Sequence, residues 1–337
     1  MKKVLFATSA LVLSAGFASA EVAVSGDGRM GVIYDGNDAQ FSSRARVRFN
    51  LTGESDAGLS FGGEFRVDQE NYSDYPDSLR SAARGTAGAV WISGTYGKLS
   101  MGDTVSASEN AIGDLYEVGY TDGTFAGDVE EISYLTGDGA NTDQGPNILY
   151  EYTFENFSFF ASASDGSNTS GPAVTGVGFG IDDEGNQVDT ASTAWNVAGK
   201  YEAENFWVAL GYAEHDDASE ITLGAEGNFN NFSVKGIYAD YSDRGIVFDD
   251  VTGDTAVEFD KTYGLSAAYQ MDAILLEGFW RRDETKGVAD GFDDDSFDSF
   301  GIGAEYDLGG GAVLAGGIVD TDYLDDTVAD LGVKFKF

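Results

Sequence analysis

The chain has 337 residues, with 58 Asp and Glu against 19 Lys and Arg, a formal net charge of −39. It has no cysteine, which excludes a disulfide framework, thiol catalysis and thiolate metal sites. The single histidine, His215, argues against a Ser–His hydrolase or a multi-histidine zinc site, and the acidic balance repels nucleic acid.

The chain begins MKKVLFATSALVLSAGFASA: Lys2 and Lys3 form a basic start, an apolar stretch follows, and Ala18-Ser19-Ala20 is an A-x-A cleavage site. This reads as a signal peptide over residues 1–20, followed by one domain over 21–337. Removing Lys2 and Lys3, and no acid, takes the charge from −39 to −41. Mean hydropathy is −0.20, and after residue 20 no apolar run is long enough for a transmembrane helix. A membrane barrel needs only every second residue of a strand to be apolar, so neither fact excludes one.

Sixteen alternating segments follow, at roughly 21–34, 41–53, 59–70, 87–96, 98–103, 147–154, 157–165, 192–202, 205–214, 219–229, 232–241, 260–270, 273–283, 297–308, 312–320 and 326–337. The second, Phe41 to Leu51, is FSSRARVRFNL. Arg44, Arg46 and Arg48 fall two apart on one face, and Phe41, Ala45, Val47, Phe49 and Leu51 on the other. Short turns follow every second segment (YG, EN, EAE, NFNN, QMDA, GGG), whereas the other connections are mostly longer and several are acidic. The longest are Thr104–Pro146, Gly166–Ala191 and Ser242–Phe259. Short turns at one end and long loops at the other are the pattern of outer-membrane barrels. Aromatics such as Tyr152, Phe154, Phe157, Tyr201, Phe206, Phe229 and Phe232 collect at the short-turn ends, as an interfacial girdle would. An even count near sixteen closes a barrel wide enough for water, and closure satisfies every strand edge. The expected fold is all-β: a 16-stranded antiparallel transmembrane β-barrel.

The stretches SGDGRMGVIYDGNDAQFSSRARVRF, GTYGKLSMGD, GDLYEVGYTD and YDLGGGAVLAGGI, with the closing VADLGVKFKF, resemble the general diffusion porins of Rhodobacter-type alphaproteobacteria across essentially the whole mature chain. The resemblance implies a homotrimer in the outer membrane of a Gram-negative bacterium, a 16-stranded barrel, and a long third loop folded into the lumen as a constriction. The final Phe337 on an alternating strand also resembles the signature that barrel-assembly machinery reads.

With the apolar faces toward lipid, Arg44, Arg46 and Arg48 point inward, as do Arg29 on the strand before and Arg66, with Glu64 and Asp68, on the strand after. On the lipid face each arginine would cost about 2–4 kcal/mol near mid-membrane, which fixes the register. The third loop, 104–146, carries Glu109, Asp114, Glu117, Asp122, Asp128, Glu130, Glu131, Asp138 and Asp143 and no Lys or Arg. Glu109, Asp114, Glu117 and Asp122 are the expected acidic side of an eyelet facing an arginine side made of Arg29, Arg44, Arg46, Arg48 and Arg66. Opposed rims of charge filter by size and sign without bond chemistry. Arg80 and Arg84 fall in loop 71–86, which in this family can latch a neighbouring subunit.

The G-x-S-x-G string at Gly58–Gly62 opens an alternating strand instead of a strand-to-helix turn, so it does not read as a nucleophile elbow. Dense hard-oxygen clusters at Asp290, Asp293, Asp294 and Asp295, and at Asp182, Asp183 and Glu184, suit calcium, though neither has EF-hand spacing. Divalent ions there would bridge loops to each other or to lipopolysaccharide phosphates. The reading is a passive, water-filled channel for ions and small hydrophilic solutes, with no required cofactor and lipid, lipopolysaccharide and two further copies as partners. The alternatives are a substrate-selective channel, which predicts saturable binding, and a plugged structural or adhesin barrel, which predicts no conductance. The sign of selectivity stays open.

Overall fold

The computed structural model describes residues 21–71, 84–135, 147–164, 179–181, 187–189, 193–215, 217–248, 255–289 and 291–337. The signal segment 1–20 lies outside them, as do Arg80, Asp138, Asp143, Asp290 and the Asp182–Glu184 cluster.

Sixteen antiparallel strands close into one barrel. In chain order they are β1 (Glu21–Tyr34), β2 (Ala39–Glu54), β3 (Ser60–Asn71), β4 (Arg84–Gly94), β5 (Gly97–Gly102), β6 (Asn147–Phe154) and β7 (Phe157–Ser164). A separate two-stranded hairpin, β8 (Phe179–Ile181) and β9 (Gln187–Asp189), stands in the connection to the next barrel strand. The barrel continues with β10 (Ala194–Glu202), β11 (Phe206–His215), β12 (Ala218–Phe229), β13 (Phe232–Phe248), β14 (Thr255–Met271), β15 (Ile274–Gly287), β16 (Asp295–Gly309), β17 (Ala312–Thr321) and β18 (Val328–Lys336). Each pairs with its chain neighbour, and β18 returns to β1 with Arg29 opposite Lys334 and Tyr34 opposite Ala329. Closure leaves no strand edge unpaired in hydrocarbon.

Alternation decides what faces out. Phe157, Phe159, Leu210, Leu223, Ile302 and Leu331 are exposed large apolar residues on the outer face, at positions separated by two along their strands. At the short-turn end Tyr201 stands between Phe157 (4.9 Å between ring centroids) and Phe206 (6.1 Å). Toward the long-loop end Trp195 meets Tyr212 and Tyr263 meets Trp280. Two aromatic bands thus border an apolar belt, the arrangement of a strand-built membrane wall. The short turns are tight: Glu155, Asn230 and Asp272 take positive φ, as hairpins twisted with their strands require.

The strands outrun the sequence expectation on one side. The connection expected over Ser242–Phe259 is largely strand, because β13 runs to Phe248 and β14 starts at Thr255, with bulges where Asp240 gives way to Arg244. The inward Arg244 is buried against the third loop, where it donates to Ser133 O and Tyr134 O, so polarity there did not signal a loop. Arg84 likewise opens β4 instead of lying in loop 71–86, and Asp295 opens β16.

The buried apolar cluster lies inside the barrel. After β5 the chain turns inward through helix α1 (Ala107–Ile112) and a 3-10 turn at Thr124–Ala126. Ile112, Leu115, Val118, Tyr120, Ile132 and Tyr134 of this third loop pack against inward residues of the wall, among them Ile237, Phe279 and Val319. Glycines make the approach possible: a Cβ at Gly211 would overlap Ser108, and one at Gly332 would stand 2.7 Å from the Tyr120 ring.

Candidate functional site

The third loop is held by wall side chains at inward positions, a series that runs around much of the barrel. Ser162 on β7 accepts from Ala107 N (2.9 Å), and Asn196 on β10 accepts from Ser108 N and Oγ (3.0 and 2.8 Å). Glu220 on β12 accepts from Leu135 N (2.5 Å), and Lys235 on β13 donates to Asp114 O (2.5 Å). Arg244 donates to Ser133 O and Tyr134 O, and Arg281 on β15 donates to Val129 O and Glu131 O while pairing with Asp283. Asp330 on β18 accepts from Tyr120 N, Thr121 N and Thr121 Oγ1. These anchors fix the loop against β7, β10, β12, β13, β15 and β18. The stretch β2–β4 faces it across the lumen.

That facing wall carries the arginine face. In register, Arg29 stands opposite Arg44, and Arg48 opposite Arg66. Like charges directly opposite one another are unfavourable. Carboxylates on the same wall offset them: Arg44 pairs with Asp27 (3.6 Å), Arg46 with Asp68 (3.0 Å), Arg66 with Asp68 (3.2 Å) and Arg48 with Glu64 (3.3 Å). Among the described side chains, four arginines against three carboxylates leave the patch near one positive charge.

Arg29 differs from the other four. It is 3% exposed, donates to Thr121 O (2.5 Å) and lies 3.8 Å from Asp122. It ties the loop to β1 and does not stand on the open wall. The loop acids also divide. Glu109 sits in the first turn of α1, where its N–H is capped by Ser106. Asp114 accepts from Ile132 N (2.7 Å), and burial pushes its carboxyl above the ordinary range despite that bond and the nearby Lys235 charge. Asp122 pairs with Lys334 (2.8 Å). Glu117 is exposed to the lumen, yet the protein crowding around it and then the Asp122 charge push its carboxyl up to about 7. With Glu277, Glu305 and Lys334, the residues Asp114, Glu117 and Asp122 line a cavity of about 380 Å³. That cavity holds one cation among five carboxylates, the opposite balance to the arginine wall.

Glu130 lies deeper in the loop, fully enclosed, with neither carboxylate oxygen hydrogen-bonded. Burial, and then the charges of Asp128, Glu117 and Glu131, push it up to about 9. Sequence reasoning did not single it out, nor the anchors Glu220, Lys235, Arg244, Arg281, Asp330 and Lys334. Their one sequence signal is a charged residue at an inward position of an alternating strand.

At the expected calcium cluster, Asp294 accepts from Gly287 N (3.3 Å) and Asp295 from Ser296 N (2.7 Å), while Asp298 holds Arg282 (2.7 Å) and Trp280 Nε1 (3.0 Å). Among the described residues, which leave out Asp290, no group of three or more His, Cys, Asp or Glu converges as metal ligands.

A family model described as Gram-negative porin matches residues 7–326. A porin of Rhodobacter capsulatus is 40% identical over 334 residues, covering 94% of this chain and all of that protein. A porin of Fuscovulum blasticum is 25% identical with the same coverage. Among solved structures, a porin refined at 1.8 Å resolution matches with a TM-score of 0.73 at 38% identity, over 94% of this chain and all of the other. A variant of Rhodopseudomonas blastica porin at 22% identity matches with a TM-score of 0.64, a likeness of fold.

Proposed function

This chain belongs to the Gram-negative porin family and forms a passive outer-membrane channel for ions and small solutes; on that premise we propose that its eyelet is built from the anchored third loop and the β2–β3 arginine wall, and that it favours cations. The observation that carries this reading is the imbalance between the two sides. The arginines are nearly neutralised by Asp27, Glu64 and Asp68, whereas Asp114, Glu117, Asp122, Glu277 and Glu305 crowd around Lys334. At physiological ionic strength charges interact over about 8 Å, so the local balance at a constriction outweighs distant loop charge. Nothing in this arrangement requires a bond to form or break; the work done is steering and exclusion. The chain acts as a homotrimer in contact with lipopolysaccharide, as the resemblance to its family suggests.

The test is single-channel recording in planar bilayers with a salt gradient. Conductance in steps of three, with a reversal potential of cationic sign, is the expected result. A folded protein that carries no current would overturn the channel, and an anionic reversal potential would overturn the assignment of the eyelet charge.

A further inference from the structure

A second feature of the lumen lies on the quarter of the wall between β2 and β6, near the short-turn end. Trp91 on β4 points inward, since its neighbours Val90 and Ile92 are exposed on the outer face. Across the sheet its register partners are Gly62 on β3 and Ser100 on β5, and beyond them Thr52 and Leu149. Within that row the tryptophan is flanked by two small residues, a glycine and a serine. A Cβ at Gly62 would stand 2.6 and 2.8 Å from the Cζ2 and Cε2 atoms of the indole. The indole therefore lies against the bare glycine, and it lines a cavity of the lumen.

The groups around that ring are polar and paired in sign. The row on one side carries Asn50 and Glu64, and the row on the other carries Lys98 opposite Glu151. Lys98 and Glu151 are 2.9 Å apart, and Asn110 of α1 donates to Glu151 (3.2 Å), so the third loop closes one edge. Together with Arg66 these residues border a cavity of about 560 Å³. That volume falls in the range of small-molecule sites, which combine an apolar surface with a few convergent polar groups.

Resting on the channel reading above, we infer that this cavity is a solute subsite for neutral hydroxylated rings, that is, pyranose sugars. The indole face takes the C–H face of the ring, as aromatic rings take flat apolar partners. Asn50, Asn110, Glu64, Glu151, Lys98 and Arg66 supply donors and acceptors at its rim. The near balance of cations and carboxylates disfavours phosphates and other strongly charged solutes, and the flat ring disfavours open-chain polyols, which present no continuous apolar face. The subsite lies in the path of every solute that passes along this wall, so its occupation obstructs ion flow.

The experiment is ion conductance of the purified protein in planar bilayers during titration with D-glucose and with maltose, with sorbitol as an open-chain control. The result expected is a saturable fall in conductance with both sugars, in the millimolar range, against a fall with sorbitol that only tracks viscosity. In Trp91→Ala, and in Trp91→Leu, which keeps bulk but has no ring face, half-saturation weakens about tenfold; in Trp91→Phe it stays close to wild type. A sugar effect no larger than that of sorbitol, with conductance intact, overturns the subsite and leaves the channel standing. Saturable block undiminished in both Trp91→Ala and Trp91→Leu places sugar elsewhere in the lumen and overturns the role given to the indole. Block by L-tyrosine but not by sugars overturns the ligand class. Folded wild-type protein without any conductance overturns the channel and the subsite together.

Discussion

Asp330→Ala removes the β18 carboxylate that holds the tip of the third loop. Its two oxygens accept from Tyr120 N (3.2 Å), Thr121 N (2.9 Å), Thr121 Oγ1 (2.8 Å) and, on the wall itself, Gly317 N (2.9 Å). Hydrogen bonds to a charged acceptor contribute about 1.5–3 kcal/mol each, and lumen water can replace part of them, so the three loop bonds together seat the tip by about 4 kcal/mol. Losing that much raises the unseated population of residues 119–123 about a thousandfold. Arg281, Arg244 and Glu220 still hold the segment 129–135, so the barrel and most of the loop stay in place. The readouts are current noise in single-channel records and liposome swelling with sugars of increasing size. The variant is expected to flicker and to admit sugars that the parent excludes, with Asp330→Asn intermediate because it keeps one acceptor. Barrel formation is checked by the heat-dependent shift in gel mobility. A folded Asp330→Ala protein with the parent's noise and the parent's swelling series would refute the claim that this carboxylate positions the constriction.

Replacing Arg44, Arg46 and Arg48 together by Ala takes the wall patch from about one positive charge to about two negative, and the reversal potential should move further toward cations; an unmoved value would put these arginines outside the conducting path. Glu117, raised to about 7, is neutral below that pH and charged above it, so cation selectivity should rise between pH 6 and 8, and the step should be smaller in Glu117→Gln. Glu130 has a folded-state value of about 9 against an ordinary 4.5, so it costs no stability below pH 4.5, an increasing amount from pH 4.5 to 9, and most above pH 9. Glu130→Gln should therefore raise the melting midpoint at pH 9, by about 2–4 °C for each kcal/mol relieved, and leave it unchanged near pH 4.5 by circular dichroism.

The barrel was legible because period-two alternation is a local signal. In β7, Phe157 and Phe159 alternate with Ser158 and Phe160, and such strands could be counted and their outer faces assigned without knowing any partner. The inward direction of the arginines followed from the same rule. The loop anchors were not legible, because each joins residues far apart in the chain: Asp330 and Thr121 are separated by 209 positions, Arg244 and Tyr134 by 110. Arg29 shows the limit well. Alternation places it inside, but only the path of the loop decides that it is covered by Thr121 and not open to water. The strand extensions in β13 and β14 were missed because bulges between Asp240 and Phe248 break the period-two pattern, and because the inward Arg244 is polar yet covered by the third loop, which sequence does not show.

The bare glycines beneath the third loop have an evolutionary corollary. Gly211, Gly224, Gly264 and Gly332 lie behind Ser108, Ile112, Leu115 and Tyr120 like the recessed side of a shim. A methyl group added at any of them would push the loop off its seat toward the β2–β3 wall, and the bore would narrow without any change to a residue that solutes meet. Relatives with the same eyelet chemistry could thus diverge in exclusion size through substitutions hidden behind the loop, and a comparison restricted to pore-lining positions would not reveal why.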